Sequence, residues 1–202
     1  MAVITPSEEE PLTRMSRHVT LAAPLALILA SGAAADTIIV TQNAASTGGS
    51  GAYSTILNSQ ARSWLTVIGQ AELSGRLPVG AQVTGVAWRN ASWQAFGSWP
   101  SNTSTFNSFD VYLGQAARTP GNLDLTDVTN NFGPDVAAHR AGPIIFTPGY
   151  FPGGALSPSF NPFCAPVQLT TPYTYQGGPL LIMVRHTGNN AGSGNLDWVA
   201  SQ

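Results

Sequence analysis

The stretch FDVYLG (109–114) alternates large apolar residues with polar or small ones, and it decides the fold class of this chain. Successive side chains of a strand point to opposite faces, so Phe109, Val111 and Leu113 are predicted to share one buried face. Asp110 and Tyr112 fall on the other face. The pattern predicts an antiparallel strand with one face on a core and the other in water.

Other short runs rich in β-branched and aromatic residues repeat this signal along the chain. LLIMVRH (180–186) is apolar on both faces, which predicts a central strand. The remaining predicted strands are TIIVTQ (37–42), RSWLTVIGQ (62–70), QVTGVAWRN (82–90), PIIFT (143–147), PVQLTT (166–171) and a last one within GNLDWVASQ (194–202). Segments rich in proline, glycine and serine separate them, and NAASTGGSGAYS (43–54) is predicted to be a flexible connection. We therefore predict an all-β domain, an antiparallel jelly-roll-like β-sandwich with one short helical turn.

The helical turn is predicted within LDLTDVTNNFGPD (123–135). Asn122 or Asp124 is placed to cap the turn, and Asp127 falls in its first turn near the positive end of the helix dipole. Gly133 ends the turn, with a proline after it. These start and stop signals favour a structural role for the segment.

A calcium site is the alternative interpretation of the same segment. Asp124, Asp127, Asn131 and Asp135 carry the hard oxygen ligands that calcium prefers. Their spacing differs from that of the twelve-residue calcium loop, which needs oxygens at alternate positions and a late glutamate. The sequence predicts no cofactor and favours the structural interpretation over the metal site.

Residues 15–35, MSRHVTLAAPLALILASGAAA, have the three-part layout of a secretory signal peptide. A short positive region is followed by an apolar run, Val19–Ala30, and by an A-x-A cleavage signal, Ala33–Ala35. The apolar run is shorter than the about 20 residues of a membrane span. We expect residues 1–14 to be a misassigned or disordered extension, 15–35 to be removed on export, and 36–202 to form a single domain.

The composition of residues 36–202 excludes several classes of partner. This part has six arginines, no lysine and seven acidic residues, a net charge of −1. It offers no basic patch for nucleic acid and no basic amphipathic segment for a membrane surface. Cys164 has no cysteine partner, so the exported domain must depend on its hydrophobic core; the residue itself is interpreted as a small buried apolar group.

Catalytic signatures are absent from the sequence. Glu72 is the one glutamate after residue 35, and nothing in the sequence ties it to a second carboxylate, as glycoside hydrolysis requires. Histidine spacings typical of zinc sites and the G-x-S-x-G nucleophile pattern do not occur. The sequence therefore favours a protein that is not an enzyme.

The candidate binding residues are tryptophans. Trp93 and Trp99 lie in ASWQAFGSWPSN (91–102), among serine, glutamine, glycine and asparagine. Exposed indoles flanked by amide side chains suit stacking on sugar rings. The alternative is that the loop folds back and buries both indoles at the rim of the sandwich.

Three segments in order carry a family resemblance: QVTGVAWR (82–89), FDVYLGQAARTPGNLDLTDVTNNFGPDVAAHRAGP (109–143) and APVQLTTPYTYQGGPLLIMVRHTG (165–188). Together they resemble exported bacterial proteins of the PEP-CTERM sorting type. The resemblance implies a β-rich protein of the bacterial surface or matrix without an assigned activity. Met183 stands where the group has an aspartate, and the Pro-Glu-Pro sorting tail does not occur by Gln202. A fragment truncated at its C-terminus, or a freely secreted relative, is therefore expected.

The resulting expectation is a non-catalytic exported protein, secreted or held at the bacterial cell surface. It would act by contact with exopolysaccharide or other envelope components, and its oligomeric state is not predicted. One alternative is a carbohydrate-binding module that uses Trp93 and Trp99. A second alternative is an enzyme that acts on polysaccharides.

Overall fold

The computed structural model of the protein describes residues 25–31, 34–40, 46–49 and 51–198. These residues form strands β1 (Leu25–Ser31), β2 (Ala34–Val40), β3 (Gly51–Tyr53), β4 (Arg62–Ile68), β5 (Gln82–Trp88), β6 (Ser104–Phe106), β7 (Phe109–Gln115), β8 (Ala137–Arg140), β9 (Ile144–Phe146), β10 (Val167–Thr174), β11 (Leu180–His186) and β12 (Leu196–Trp198). The helical segments among them are α1 (Gln70–Leu73) and the 3₁₀ turns Thr55–Leu57, Pro120–Asn122 and Val128–Asn131.

The strands assemble into two four-stranded antiparallel sheets. The first sheet has the order β10-β5-β1-β2, and the second has the order β4-β11-β7-β8. Two-stranded ribbons, β3–β12 and β6–β9, flank them. One apolar cluster combines buried side chains of both sheets, so the core lies between them. This arrangement confirms the predicted all-β sandwich.

The alternation read from the sequence agrees with the observed burial. Phe109, Val111 and Leu113 of β7 are fully buried. Val167 and Leu169 of β10 point inward, whereas the residues between and after them are exposed. Strand β11 pairs with β4 on one side and β7 on the other, as expected for a strand that is apolar on both faces.

The outer face of the second sheet is covered by the segment that follows β7. Leu181 and Met183 of β11 point away from the main core, yet both are buried. Leu123, Phe132 and Val136 pack against this second cluster. The acidic segment LDLTDVTNNFGPD is therefore part of a cover that buries apolar surface.

The observed helical turns differ in detail from the prediction. The predicted turn forms at Val128–Asn131, but its N-cap is Asp127, whose side chain accepts a hydrogen bond from the Thr129 amide. Asp124 instead closes the preceding turn with its own side chain. Within the described residues, short helical segments also form at Thr55–Leu57, Gln70–Leu73 and Pro120–Asn122. None of these helices is long and apolar enough to cross a membrane.

The predicted flexible connection, residues 43–54, is partly ordered. Gly51–Tyr53 form β3 and pair with β12. The Gly49 amide donates to both carboxylate oxygens of Asp197, at 3.1 Å each. Asp197, which is 148 positions away in the sequence, therefore holds this glycine-rich segment in place. The local composition did not predict this contact.

The leader predicted at residues 15–35 overlaps the first sheet. Leu25–Ser31, which includes the second half of its apolar run, forms β1 between β5 and β2. Residues 1–24 lie outside the described part of the chain, and so does the extension expected at 1–14. Removal of residues 15–35 stays a prediction, and its consequence for the sheet is considered below.

Candidate functional site

Two loops form one rim of the sandwich. The first runs through residues 89–101 after β5, and the second through 152–161. The Ser157 amide donates to the Ser92 carbonyl at 2.6 Å, and the Gly154 amide donates to the Phe96 carbonyl at 2.7 Å. The Asn161 side chain adds two further bonds to backbone carbonyls of the first loop. These bonds hold the two loops side by side at fixed positions.

A groove of about 300 Å³ opens beside the first loop and is called here the rim groove. Its floor and walls are formed by two chain segments that are distant in sequence, 90–101 and 191–195. The lining residues are Asn90, Phe96, Gly97, Ser98, Trp99, Ser101, Ala191, Ser193, Gly194 and Asn195. None of them carries a charge. The groove therefore presents amides, hydroxyls and two aromatic rings to its contents.

Trp99 lies in the wall of the groove and is largely buried. Only 8% of its surface is exposed. Its ring packs at centroid distances of 5.5 Å from Phe151 and 6.0 Å from Phe146, and its indole N–H donates to the Gly192 carbonyl. The indole therefore belongs to the apolar core and also lines the groove.

Trp93 has the exposure that its sequence context favours. Its side chain is 42% exposed, and its ring lies 6.1 Å from that of Phe96 at an angle of 59°. Phe96 in turn lines the groove. The structure thus pairs Trp93 with Phe96, while the recorded ring partners of Trp99 are in the core. The exposed aromatic surface is therefore formed by Trp93 and Phe96, and not by Trp93 and Trp99.

Two further exposed apolar side chains belong to the second loop. Leu156 is 56% exposed and Phe160 is 41% exposed. A backbone hydrogen bond joins Ser157 to Ser92. Leu156 directly precedes Ser157, and Trp93 directly follows Ser92. Apolar side chains therefore rise from both loops near their junction, and such patches mark contact surfaces.

Several groove residues were not predicted from the sequence. Asn90 is 1% exposed, donates to the Gly97 carbonyl and pairs through its backbone with Leu196. Ser193 and Asn195 reach the groove from the chain segment before β12. Their neighbours in sequence carry no binding signature, and only long-range pairing brings them to the rim loop. The asparagine at the end of the predicted strand 82–90 was the one local signal.

The acidic segment satisfies its own oxygens. Asp124 accepts from the amides of Thr126 and Asp127 and from the side chain of Asn130, all at 2.9 Å. These donors, the Asp127 amide first, lower the pKa of Asp124 to about 2, with Arg118 adding to the effect. The Asp124 carboxylate is therefore already bonded by its own loop.

The four calcium candidates have different partners. Asn131 is buried and bonded to the backbone of Asp124 in both directions. Asp127 accepts from Thr129. Asp135 accepts from the Gln115 amide at 2.7 Å and from the Tyr173 hydroxyl at 3.0 Å, so it joins β7 to β10. Within the described residues, no group of three or more histidine, cysteine or acidic side chains is placed to hold a metal.

Groups of possible catalytic use are spread over separate elements. Glu72 lies in α1, and Asp110 accepts from Ser108 and from the Gly142 amide. Burial raises the pKa of the Cys164 thiol to about 12, which keeps it protonated and unreactive at neutral pH. His186 is buried and its ring packs against the rings of Phe106 and Phe109. None of these side chains lines the rim groove.

Comparison of the chain with protein-family models, with curated proteins and with solved structures found no match in any of the three.

Proposed function

We propose that this chain is a non-catalytic exported protein that contacts neutral polysaccharide through the rim groove and the Trp93–Phe96 ring pair. The observation that carries the proposal is a groove lined only by uncharged hydrogen-bonding groups and aromatic rings. Its volume is at the lower end of the about 300–1,000 Å³ that small-molecule sites occupy. One or a few sugar units of a longer polymer would fit such a site.

The chemistry of the lining favours sugars over other ligands. The hydroxyl of Ser101 and the amide of Asn195 both donate and accept hydrogen bonds, as sugar hydroxyls also do. The rings of Phe96 and Trp93 supply apolar faces for the C–H surfaces of a pyranose. Since no lining residue carries a charge, a neutral sugar is favoured over a uronic acid.

The absence of carboxylates from the groove supports binding without hydrolysis. Glycoside hydrolysis needs two carboxyl groups about 5–9.5 Å apart across the scissile bond. The groove lining contains neither aspartate nor glutamate. A carbohydrate-binding module therefore fits this groove better than an enzyme that acts on polysaccharides.

Binding is tested by affinity electrophoresis and calorimetry with a panel of neutral and acidic soluble polysaccharides. The expected result is retention by at least one neutral polymer, lost in Trp93→Ala and weakened in Ser101→Val. Leu125→Ala removes another exposed apolar side chain, 50% exposed and away from the groove, and is the matched control. Retention that is equal in all four proteins would overturn the assignment of the groove.

A further inference from the structure

Strand β1 is an inner strand of the first sheet. It pairs along its length with β2 and, with one irregularity, with β5. Leu25, Ala26 and Leu27 are at most 2% exposed and belong to the main core. Any process that removes β1 therefore removes part of the core and uncovers an edge of β5.

Cleavage of the predicted signal peptide would remove β1. Cleavage after Ala35 would release β1 together with the first two residues of β2. It would leave the β5 edge from Val83 to Trp88 without its neighbour, although the side chains of Val83, Val86 and Trp88 are buried in the core. An open apolar edge of this kind pairs readily with any available strand.

A replacement strand is present in the same chain. Residues 36–40, DTIIV, remain after cleavage, are rich in β-branched residues and lie one strand further along the sheet. Ile38 is already part of the core cluster. Because neighbouring strands are about 4.8 Å apart, a sideways shift by one strand spacing would bring this segment against β5.

The attachment of this segment fixes its direction. Val40 pairs with Leu25, and Leu25 pairs with Trp88. The C-terminal end of β2 therefore lies near the C-terminal end of β5. Ser46–Gly49 is anchored nearby, because Arg89 donates to the Thr47 carbonyl and the Gly49 amide donates to Asp197. The five residues between Val40 and Ser46 span up to about 16 Å, which permits the shift without reversing the strand.

We propose that the position of β1 is a strand-acceptor slot on β5, which Leu25–Ser31 fills in the precursor and this chain's own Thr37–Val40 fills after export. The inserted strand runs parallel to β5, since β2 and β5 are both antiparallel to β1. The proposal depends on the export part of the proposed function and is independent of sugar binding.

Disulfide trapping tests the exchange in the full chain, expressed with its own leader in an exporting bacterium. Ala87→Cys is combined in turn with Thr37→Cys, Ile38→Cys and Ile39→Cys, all in a Cys164→Ala background. In the described structure β2 is two strands from β5, about 9.6 Å, which exceeds the about 7 Å limit for a disulfide. Ala26→Cys with Ala87→Cys is the matched control, because these two residues are directly opposite each other.

The expected result is an exported monomer that begins at Asp36 and contains a disulfide from position 87 to one of positions 37–39. A processed monomer without that bond overturns the proposal, as does a disulfide between two copies of the chain. A chain that keeps residues 25–31 and forms the control disulfide also overturns it. Hydrogen exchange on the processed wild-type protein adds a test that needs no cysteines. The β5 amides that point toward the position of β1 are expected to be strongly protected, and fast exchange of these amides contradicts an inserted strand. Sugar retention, measured separately, reports on the groove alone.

Discussion

Arg89 and Asp197 form an ion pair in which Nε and Oδ2 are 2.6 Å apart and both side chains are fully buried. The Gly49 amide bonds the same carboxylate, and the guanidinium also donates to the Thr47 carbonyl. Its Cζ lies 5.2 Å from the centroid of the Phe160 ring. The pair therefore joins the end of β5, strand β12, the segment before β3 and the second rim loop.

Breaking this pair is expected to destabilise the fold strongly. Asp197→Ala leaves the Arg89 guanidinium buried without its carboxylate, which costs about 3–5 kcal/mol of the free energy of unfolding. The control is Arg118→Ala at the partly exposed pair with Asp124, 3.7 Å apart, where a change below about 1 kcal/mol is expected. Urea unfolding measures both values. The double variant Arg89→Met/Asp197→Leu should recover much of the loss, and equal small losses for the two pairs would contradict the assigned role.

Substitution of the two candidate tryptophans is expected to lower the free energy of unfolding by different amounts. Trp99→Ala removes a buried ring from its contacts with Phe146 and Phe151, which costs about 3–5 kcal/mol. Trp93→Ala removes a half-exposed ring and should stay within about 0.5 kcal/mol. Thermal and urea unfolding of the two variants measure the difference. A large loss for Trp93→Ala would show that its ring also supports the core.

The contrast between these tryptophans shows where sequence reasoning ends. Longer strands such as β7 could be predicted, because alternation over six residues, as in FDVYLG, is a local consequence of the pleat. The fate of each indole could not, because Trp99 is buried by residues about 50 and 93 positions away, Phe151 and Gly192. The groove was missed for the same reason, since Ser193 and Asn195 reach it only through the pairing of β12. The strand at 25–31 was missed because its composition also fits a leader.

Asn131 is expected to be the residue that holds the acidic segment together. Its side chain accepts from the Asp124 amide and donates to the carbonyls of Asp124 and Val128, and it is 1% exposed. Asn131→Ala leaves these backbone groups unpaired and should cost about 2–3 kcal/mol. Asn130→Ala, next to it but exposed, should cost less than about 1 kcal/mol. Urea unfolding of the two variants provides the comparison, and a reversed order would refute this role.

Calcium is expected to leave the melting temperature unchanged. The carboxylates of Asp124, Asp127 and Asp135 already accept hydrogen bonds from their own loop or from neighbouring strands. Calcium would have to displace those donors before it could bind. Scanning calorimetry in millimolar calcium and in excess chelator measures the effect. A higher melting temperature in calcium, abolished by Asp124→Asn, would restore the metal-site interpretation.

The stability of the fold is expected to decrease on mild acidification because of His186. Its Nδ1 accepts from the Gly188 amide at 3.0 Å, so the ring proton is on Nε2, which donates to the Thr55 carbonyl at 2.8 Å. Burial lowers the pKa of His186 below its ordinary value of about 6.5, and the charge of Arg62 acts in the same direction. Protonation of Nδ1 would also turn this acceptor into a donor that faces the Gly188 N–H, so their hydrogen bond would be lost.

The sign of this dependence follows from proton uptake. Above about pH 6.5 the histidine is neutral in both states, and its contribution to stability is complete. As the pH falls below 6.5 the unfolded chain binds the proton first, so the free energy of unfolding decreases until the lower pKa of the folded state is passed. Asp124, with its pKa lowered to about 2, loses its contribution only at more acidic pH. Urea midpoints between pH 8 and 4.5 should therefore fall in the wild type, and the fall should be smaller in His186→Gln. An unchanged slope in that variant would assign the acid sensitivity to other groups.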